Sequence, residues 1–428
     1  MTILYDVLFF FISLCYLPAY LFKKKFHSGF WARLGFLPRG LQVDSPVWIH
    51  AVSVGEAVMM KPLIESLRKS FPQEKFVIST VTATGNKIAR ALAQPGDFVT
   101  YMPLDFSFIV TAVIKKINPR LFIIAETELW PNLITCLYKN KIPCVVVNAR
   151  ISDKSFGGYQ AIRFFLKPVL KKVSLFSAQS LRDQERLFRL GVPKEKVVPA
   201  GNMKFDLRIT GEGVGDYTEH RKRLGLGTQE KLFVAASTHA QEEEIIIATF
   251  KKLLNTYPSL RLLLAPRHPE RAPEIERLIE RLGFTPLRIS QLGRQPITDN
   301  RQPIAILDSV GELMDYYAIA DIVFVGGSLV AHGGHNILEP ALLGKPIVFG
   351  PHMFNFRDIA DLFLQHDAAL LVKDEAEAFV RIKELLDNSV RAKELGARAR
   401  SLIKENQGAT LRNLKLIESL LTSLNDKK

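Results

Sequence analysis

Short apolar runs rich in valine, isoleucine and leucine recur along the chain, and between them the apolar positions follow helical spacing. The runs Val47–Val52, Phe76–Thr80, Leu121–Ala125, Cys144–Asn148 and Leu175–Ala178 predict strands in the first half, with a new helix from Ala57. A glycine-rich polar stretch follows from Asp206 to Gly227, and Leu232–Ala236, Leu260–Ala265, Ile304–Leu307, Ile322–Val325 and Pro346–Phe349 predict a second set. Strands that alternate with helices and carry no polar face make parallel sheets covered on both sides. The expected fold class is therefore α/β, with two Rossmann-like domains at 46–205 and 228–391 facing a cleft and a linker at 206–227. The amphipathic stretch 392–428 is expected to pack back on the first domain as a C-terminal helix.

The front of the chain departs from this alternation. Residues 1–22 are almost wholly apolar, with Asp6 and Pro18 as the only blemishes, and match the roughly 20 residues that a bilayer core requires. Neither a basic leading segment nor a small-residue cleavage site is present, so the segment reads as a retained membrane anchor, either a transmembrane helix or one lying in a single leaflet, rather than a removed signal. The basic stretch 23–45 behind it, with Lys23, Lys24, Lys25, Arg33 and Arg39, places the rest of the chain on the cytoplasmic side.

Composition adds three constraints. At 428 residues and 47% hydrophobic, the chain exceeds one ordinary core. A net charge of +14 calls for an acidic partner, and the segment Arg163–Lys172, where basic and apolar residues interleave, favours membrane anionic lipids. No stacking-aromatic motif supports nucleic acid. Cys15, Cys136 and Cys144 form no disulfide framework, and with no HExxH and no Asp-x-Asp, neither a metal nor a cofactor is expected.

Candidate chemistry sits after the strands. Ile322–Val325 runs into a turn with Gly326, Gly327, Gly333 and Gly334, a form suited to a nucleotide, after which Asn336 can cap a helix and Glu339 can reach a ribose. As a plain alternative, Asn336 and Glu339 form a capping box. Ser237 and Thr238 with His239, Arg267 between Pro266 and His268, and Glu312 beside Gly311 also follow strands, where open sheets bind ligands. In the first domain the turn Ser53-Val54-Gly55-Glu56 offers Glu56 as a base, although a helix dipole also favours glutamate there. Glu126 and Glu128 share one face at strand spacing.

Together these segments resemble the Kdo transferases, which attach 3-deoxy-D-manno-octulosonic acid (Kdo) to lipid A precursor. The resemblance runs through HAVSVGE (His50 to Glu56), ETELWPN (Glu126 to Asn132), NARIS (Asn148 to Ser152) and GNMKFD (Gly201 to Asp206). It continues through PRHPER (Pro266 to Arg271), the stretch Gly311 to Leu329, GGHNILEP (Gly333 to Pro340) and GPHMFNF (Gly350 to Phe356). It implies a GT-B glycosyltransferase that is inverting and metal-independent, with CMP-Kdo as donor and lipid A precursor (lipid IVA) as acceptor at the cytoplasmic face of the inner membrane. It further implies Glu56 as general base, Glu126 and Lys204 as transition-state supports, and CMP on Pro266, Arg267, Val310, Gly311, Glu312, Asn336, Ile337, Leu338 and Glu339. The chain departs from the family pattern at Ile337, where proline is usual, and at Met203, where leucine is usual. Arg150 is a candidate partner for the donor carboxylate by position. Two other readings remain at this stage: a GT-B enzyme acting on another nucleotide sugar, and a non-enzymatic, membrane-tethered binder of anions.

Overall fold

A computed structural model describes residues 2–22, 29–38, 40–41, 43–206, 217–227, 230–292 and 303–426. The apolar runs become strands because each is long enough to cross a sheet and has no polar face to leave in water. In the first sheet these are β1 (Val47–His50), β2 (Phe76–Thr80), β3 (Phe98–Tyr101), β4 (Leu121–Ala125), β5 (Cys144–Ala149), β6 (Leu175–Ala178) and β7 (Val197–Pro199). They pair in parallel in the order β3-β2-β1-β4-β5-β6-β7. The second sheet contains β8 (Leu232–Thr238), β9 (Arg261–Pro266), β10 (Thr285–Arg288), β11 (Pro303–Ile306), β12 (Ile322–Val325), β13 (Ile347–Phe349) and β14 (Leu370–Leu371). Its order is β10-β11-β9-β8-β12-β13-β14, again parallel. The four strands absent from the sequence reading, β3, β7, β10 and β14, are the four sheet edges. Edge strands are half-covered and short, so their apolar signal is weak.

The chain forms two compact units, Met1–Asp206 with Asn406–Lys428, and Leu207–Glu405. In the first, strand order reverses between β1 and β4, and in the second between β8 and β12. At such a reversal the loops leave in opposite directions and open a crevice at the carboxyl ends of the strands.

The helix Thr2–Phe22 is tied to the first unit. Asp6 accepts hydrogen bonds from the Ser107 amide (3.0 Å), the Ser107 hydroxyl (2.5 Å) and Asn132 Nδ2 (2.7 Å), and the ring of Phe9 meets Phe106 edge-on at 5.0 Å. The residue read as a blemish thus satisfies the first amide of the helix Ser107–Ile117. Among the described residues, no helix is long and apolar enough to cross a membrane, which corrects the expectation of a transmembrane helix. Lys23, Lys24, Lys25 and Arg39 lie outside the described residues, as do 207–216 of the expected linker. The remainder of that linker includes the helix Thr218–Arg223.

The C-terminal stretch is two helices, Ser389–Asn406 and Ala409–Asn425, broken where Gly408 takes a left-handed φ of 93°. The first lies in the second unit except for its last residue, and its Gly396 fits so closely that a Cβ would stand 1.9 Å from the Gly344 carbonyl. The second packs on the helix Val54–Ser70 and buries Leu414, Ile417 and Leu421. Asp206 caps it, accepting from the amides of Gly408 (2.6 Å) and Thr410, while Arg412 Nε donates to the Ala200 carbonyl (2.7 Å). Asp206→Ala removes the cap and is expected to cost about 1–2 kcal/mol, read as a lowered urea midpoint at unchanged slope. An unchanged midpoint would mean that the cap contributes nothing.

Candidate active site

The switch point of the first sheet gathers three carboxylates. β1 ends at His50, and Ser53 caps the next helix, which starts at Val54 rather than at Ala57. Glu56 lies in its first turn, and its carboxylate folds back to accept from the Val52 amide (2.7 Å) and the Ser53 hydroxyl (3.2 Å). The Ser53 hydroxyl in turn accepts from the Glu56 amide at 3.5 Å, a reciprocal arrangement like a capping box except that the carboxylate takes the amide one residue before the cap, and the place of Glu56 in the first turn is the one the helix dipole favours. This structural role does not exhaust the residue. Burial pushes the Glu56 carboxyl up to about 7 against the pull of the Val52 amide, with Glu126 and Glu128 adding to the rise.

Glu126 follows β4 directly and holds a left-handed φ of 58°, uncommon for a residue with a long side chain. The ammonium of Lys204 stands 2.8 Å from its carboxylate. Lys204 sits on the short turn Met203–Asp206, which is fixed twice: Asn148 Oδ1 accepts from the Met203 amide and Asn202 Oδ1 from the Lys204 amide, both at 2.9 Å. Asn148, one residue before the end of β5, holds a φ of 54°. A cavity is lined by Glu56, Glu126, Glu128, Arg150, Ser155 and Tyr159, and Thr127 clamps its rim by donating to the Arg150 carbonyl (2.6 Å) and accepting from the Arg150 amide (3.0 Å). Burial and then Glu126 raise Glu128 as well. The first unit therefore brings together Glu56, Glu126 and Lys204.

At the switch point of the second sheet, the glycine-rich turn is used differently from the sequence expectation. The amides of Gly327 (2.6 Å), Ser328 (2.9 Å) and Leu329 (2.7 Å) donate to the buried carboxylate of Glu242, which also accepts from the His239 amide (3.1 Å). The anion in that turn is thus a side chain of the protein. The glycines serve close packing: a Cβ on Gly326 would lie 2.7 Å from the Ser237 carbonyl, and one on Gly334 2.2 Å from Met353 Sδ. Asn336 lies two residues before the five-residue helix Leu338–Leu342, accepts from the Leu338 amide (3.1 Å) and donates to Glu339 (3.0 Å). Glu339 is thereby engaged with Asn336, and burial raises its carboxyl. Ile337 and Leu338 are buried, and the Leu338 amide is the one taken by Asn336.

The remaining candidates lie on the loops of the same sheet. Ser237 has a φ of 54°, Thr238 is buried, and the Thr238 carbonyl accepts from the amide of Arg267, which follows Pro266 at the end of β9 (3.0 Å). Val310 is 88% exposed, and the space beside Gly311 is open. Glu312 accepts from the Ser309 hydroxyl (2.5 Å) and pairs with Arg223 (3.0 Å), contacts that hold its carboxyl below the usual range. Sequence reasoning missed Glu242, the anchoring role of Asn148, and the convergence of His239, His268, His332 and His335. Among the described residues no group of three or more potential ligands is arranged to hold a metal.

A family model described as 3-deoxy-D-manno-octulosonic-acid transferase (kdotransferase) matches residues 28–207. A 3-deoxy-D-manno-octulosonic acid transferase of Haemophilus influenzae is 39% identical over 377 residues, covering 88% of this chain and 87% of that protein. Its counterpart from Chlamydophila psittaci is 30% identical over 90% of this chain and 89% of its own. Among solved structures, a putative UDP-N-acetylglucosamine 2-epimerase of Listeria monocytogenes superposes with a TM-score of 0.60 at 13% identity, covering 90% of this chain and 97% of its own, a likeness of fold alone.

The raised carboxyl at position 56 has a consequence for stability. A folded-state value above the ordinary one means that ionised Glu56 weakens the fold, a penalty absent below about pH 4.5 that grows until about pH 7. Glu56→Gln keeps an acceptor for the Val52 amide and is expected to stabilise the protein by about 1–3 kcal/mol at pH 8, with the gain vanishing toward pH 4.5. Thermal unfolding at the two pH values checks this, and destabilisation at pH 8 would contradict it.

Proposed function

This chain belongs to the 3-deoxy-D-manno-octulosonic acid transferase family and is a Kdo glycosyltransferase of lipopolysaccharide biosynthesis; from that premise, we propose that Glu56 is the general base of an inverting transfer from CMP-Kdo to lipid A precursor. The observation that carries the proposal is that Glu56 and Glu126 line one cavity at the switch point with Lys204 2.8 Å from Glu126, and burial there raises the Glu56 carboxyl to about 7. A base poised near the working pH accepts a proton efficiently. The acceptor hydroxyl gives its proton to Glu56 as its oxygen bonds to the anomeric carbon of Kdo. The bond from that carbon to the CMP phosphate breaks on the opposite face, and CMP leaves as a phosphate monoester. Lys204, kept in place by Glu126, Asn202 and the Asn148 contact, supplies positive charge as the transition state forms. The proposed CMP contacts are Pro266, Arg267, Ser237, Thr238, the loop Val310, Gly311 and Glu312, and the segment Asn336 to Glu339, where Ile337 and Leu338 act through backbone.

The lipid acceptor requires the first unit to work at a membrane. Its surface supports that role: Phe164 is 92% exposed and Phe108 is 70% exposed, with Trp31, Phe36, Phe10 and Phe11 also outward and Arg163, Lys167 and Lys171 flanking Phe164 in the sequence. The proposed mode is association with one leaflet of the inner membrane on its cytoplasmic side, with the basic residues drawn to anionic lipids and to the phosphates of the acceptor.

Glu56→Gln is expected to lower transfer at least a hundredfold, about 2.7 kcal/mol or more, while CMP affinity stays within twofold. In the wild type, the rate should climb with pH through about 7 as Glu56 loses its proton. A variant that retained a tenth of the activity would exclude Glu56 as the principal base. Replacing Phe108 and Phe164 together by Glu is expected to reduce vesicle binding, and transfer to vesicle-embedded acceptor, about tenfold or more, with transfer to detergent-dispersed acceptor unchanged. Equal losses in both assays would refute the membrane surface.

A further inference from the structure

Four imidazoles meet at the reversal of the second sheet. His239 follows β8, His268 follows β9, and His332 and His335 follow β12, so three neighbouring strand ends each deliver histidine to one crevice. Nε2 of His239 lies 2.8 Å from Nε2 of His335. Two ring nitrogens so close share a hydrogen, and in the neutral pair one ring donates it while the other accepts. The ring of His332 stacks on His239 with centroids 4.1 Å apart, and His268 stands edge-on to it at 6.0 Å. The loop is shaped to this pair: a Cβ on Gly327 would stand 2.8 Å from His335 Cδ2 and 3.4 Å from His239 Cδ2.

The carboxylates near the pair are engaged elsewhere. Arg267 and Arg271 stand close enough to disfavour a proton on His239, and Arg267 does the same to His335. Glu242 is engaged by four backbone amides, Glu243 by Arg271 at 2.8 Å, and Glu339 by Asn336 at 3.0 Å. Glu270 lies 3.4 Å from Nδ1 of His268, not from the pair. Burial first, and then the neighbouring imidazoles and guanidinium groups, hold His239 and His335 down to about 4, so the pair is neutral at pH 7.

The geometry points to His239 and His335 as a proton-accepting anion site, which takes a phosphate or carboxylate oxygen of the sugar-nucleotide donor together with one proton from solvent. The proton enters on Nδ1 of the ring that donates, so the N–H···N contact survives and the pair gains a full positive charge against the anion. The donor as the source of that anion rests on the function proposed above; the anion site itself does not. Because the free pair has little affinity for a proton and the bound pair much more, binding takes up protons and tightens as pH falls through the bound-state value.

The test uses the full chain, wild type and His335→Gln, with inorganic sulfate and CMP as probes between about pH 8 and 5.5. Sulfate stays dianionic throughout, so any proton taken up goes to the protein. We expect sulfate affinity in the wild type to rise about tenfold across the range, and His335→Gln to stay within twofold. Histidine Cε1 shifts in the wild type, followed down to about pH 4, are expected to show the pair's titration midpoint rising by about two and a half units on saturation, the rise that a tenfold gain at pH 5.5 requires, a readout that does not depend on the variant folding. A pH-independent sulfate affinity or an unmoved midpoint would overturn the inference. CMP is read as the affinity ratio of wild type to variant, which cancels the ionisation of its own phosphate. If CMP binds with a ratio constant in pH, the donor reading stands and the histidine site fails. If sulfate behaves as expected and CMP does not bind, the anion site stands and the donor reading fails.

Discussion

A parallel sheet covered on both faces has no place for carboxylates or ammonium groups along its strands, where the polar side chains it does bury, such as Ser79, are hydrogen-bonded within the sheet, and this constraint decides where charged chemistry can sit. Val47, Trp48, Ile49 and the whole of Leu121–Ala125 are fully buried, so acids and bases can emerge only where the strands stop. The stops are strained. Glu126 directly after β4, and Asn148 and Ser237 one residue before the ends of β5 and β8, all have positive φ, each costing about 1 kcal/mol for an L-residue. Hydrogen bonds hold these turns in place: the Glu126 amide reaches the Val147 carbonyl at 2.9 Å, and Asn148 receives the Met203 amide. Strain at these strand ends is therefore part of what aims Glu126 at Lys204 and orders the loop from Ser237 into His239.

A buried carboxylate and a half-buried one show how hydrogen bonding separates a structural acid from a reactive one. Glu242 receives four backbone amides, which meet most of the acceptor capacity of its two oxygens. Glu56 has the Val52 amide and one hydroxyl, with two other carboxylates nearby. Burial without full compensation disfavours the charged form, and a proton becomes the cheapest remaining partner. The contacts to Val52 and Ser53 that suit a glutamate at the start of this helix thus leave it under-satisfied enough to act as a base.

What was legible in the sequence follows from range. The inner strands were readable because an unbroken apolar run reports burial on both faces, whereas the edges β3, β7, β10 and β14 lack that signal. Glu56 and the Glu126–Glu128 pair stood out by their places at strand ends, whereas Lys204 entered only through the family resemblance. Glu242 was not, because its meaning depends on amides 85 to 87 residues away. The same holds for His239 and His335, 96 residues apart. Asp6 looked out of place in an apolar helix because its partners, Ser107 and Asn132, are more than 100 residues distant. The glycines of the turn after β12 were legible as a demand for space, but the sequence did not say whether a ligand or the protein fills it.

The last residues of the chain complete the first unit. After Asp206 the chain builds the second unit and returns at Asn406. The returning helix Ala409–Asn425 packs on the helix Val54–Ser70, which carries Glu56, and its first amides bind Asp206, two residues beyond Lys204. The turn that holds Lys204 is therefore pinned from two sides, by Asn148 on a strand and by the dipole and amides of the final helix. With only the strand contact, the turn would keep one anchor at Met203 and lose the other at Asp206. A flexible ammonium would then have to find Glu126 from many rotamers, with the attendant entropy cost. The position of Lys204 is for this reason a property of both ends of the chain, and it is not fixed until residues 406–425 are in place.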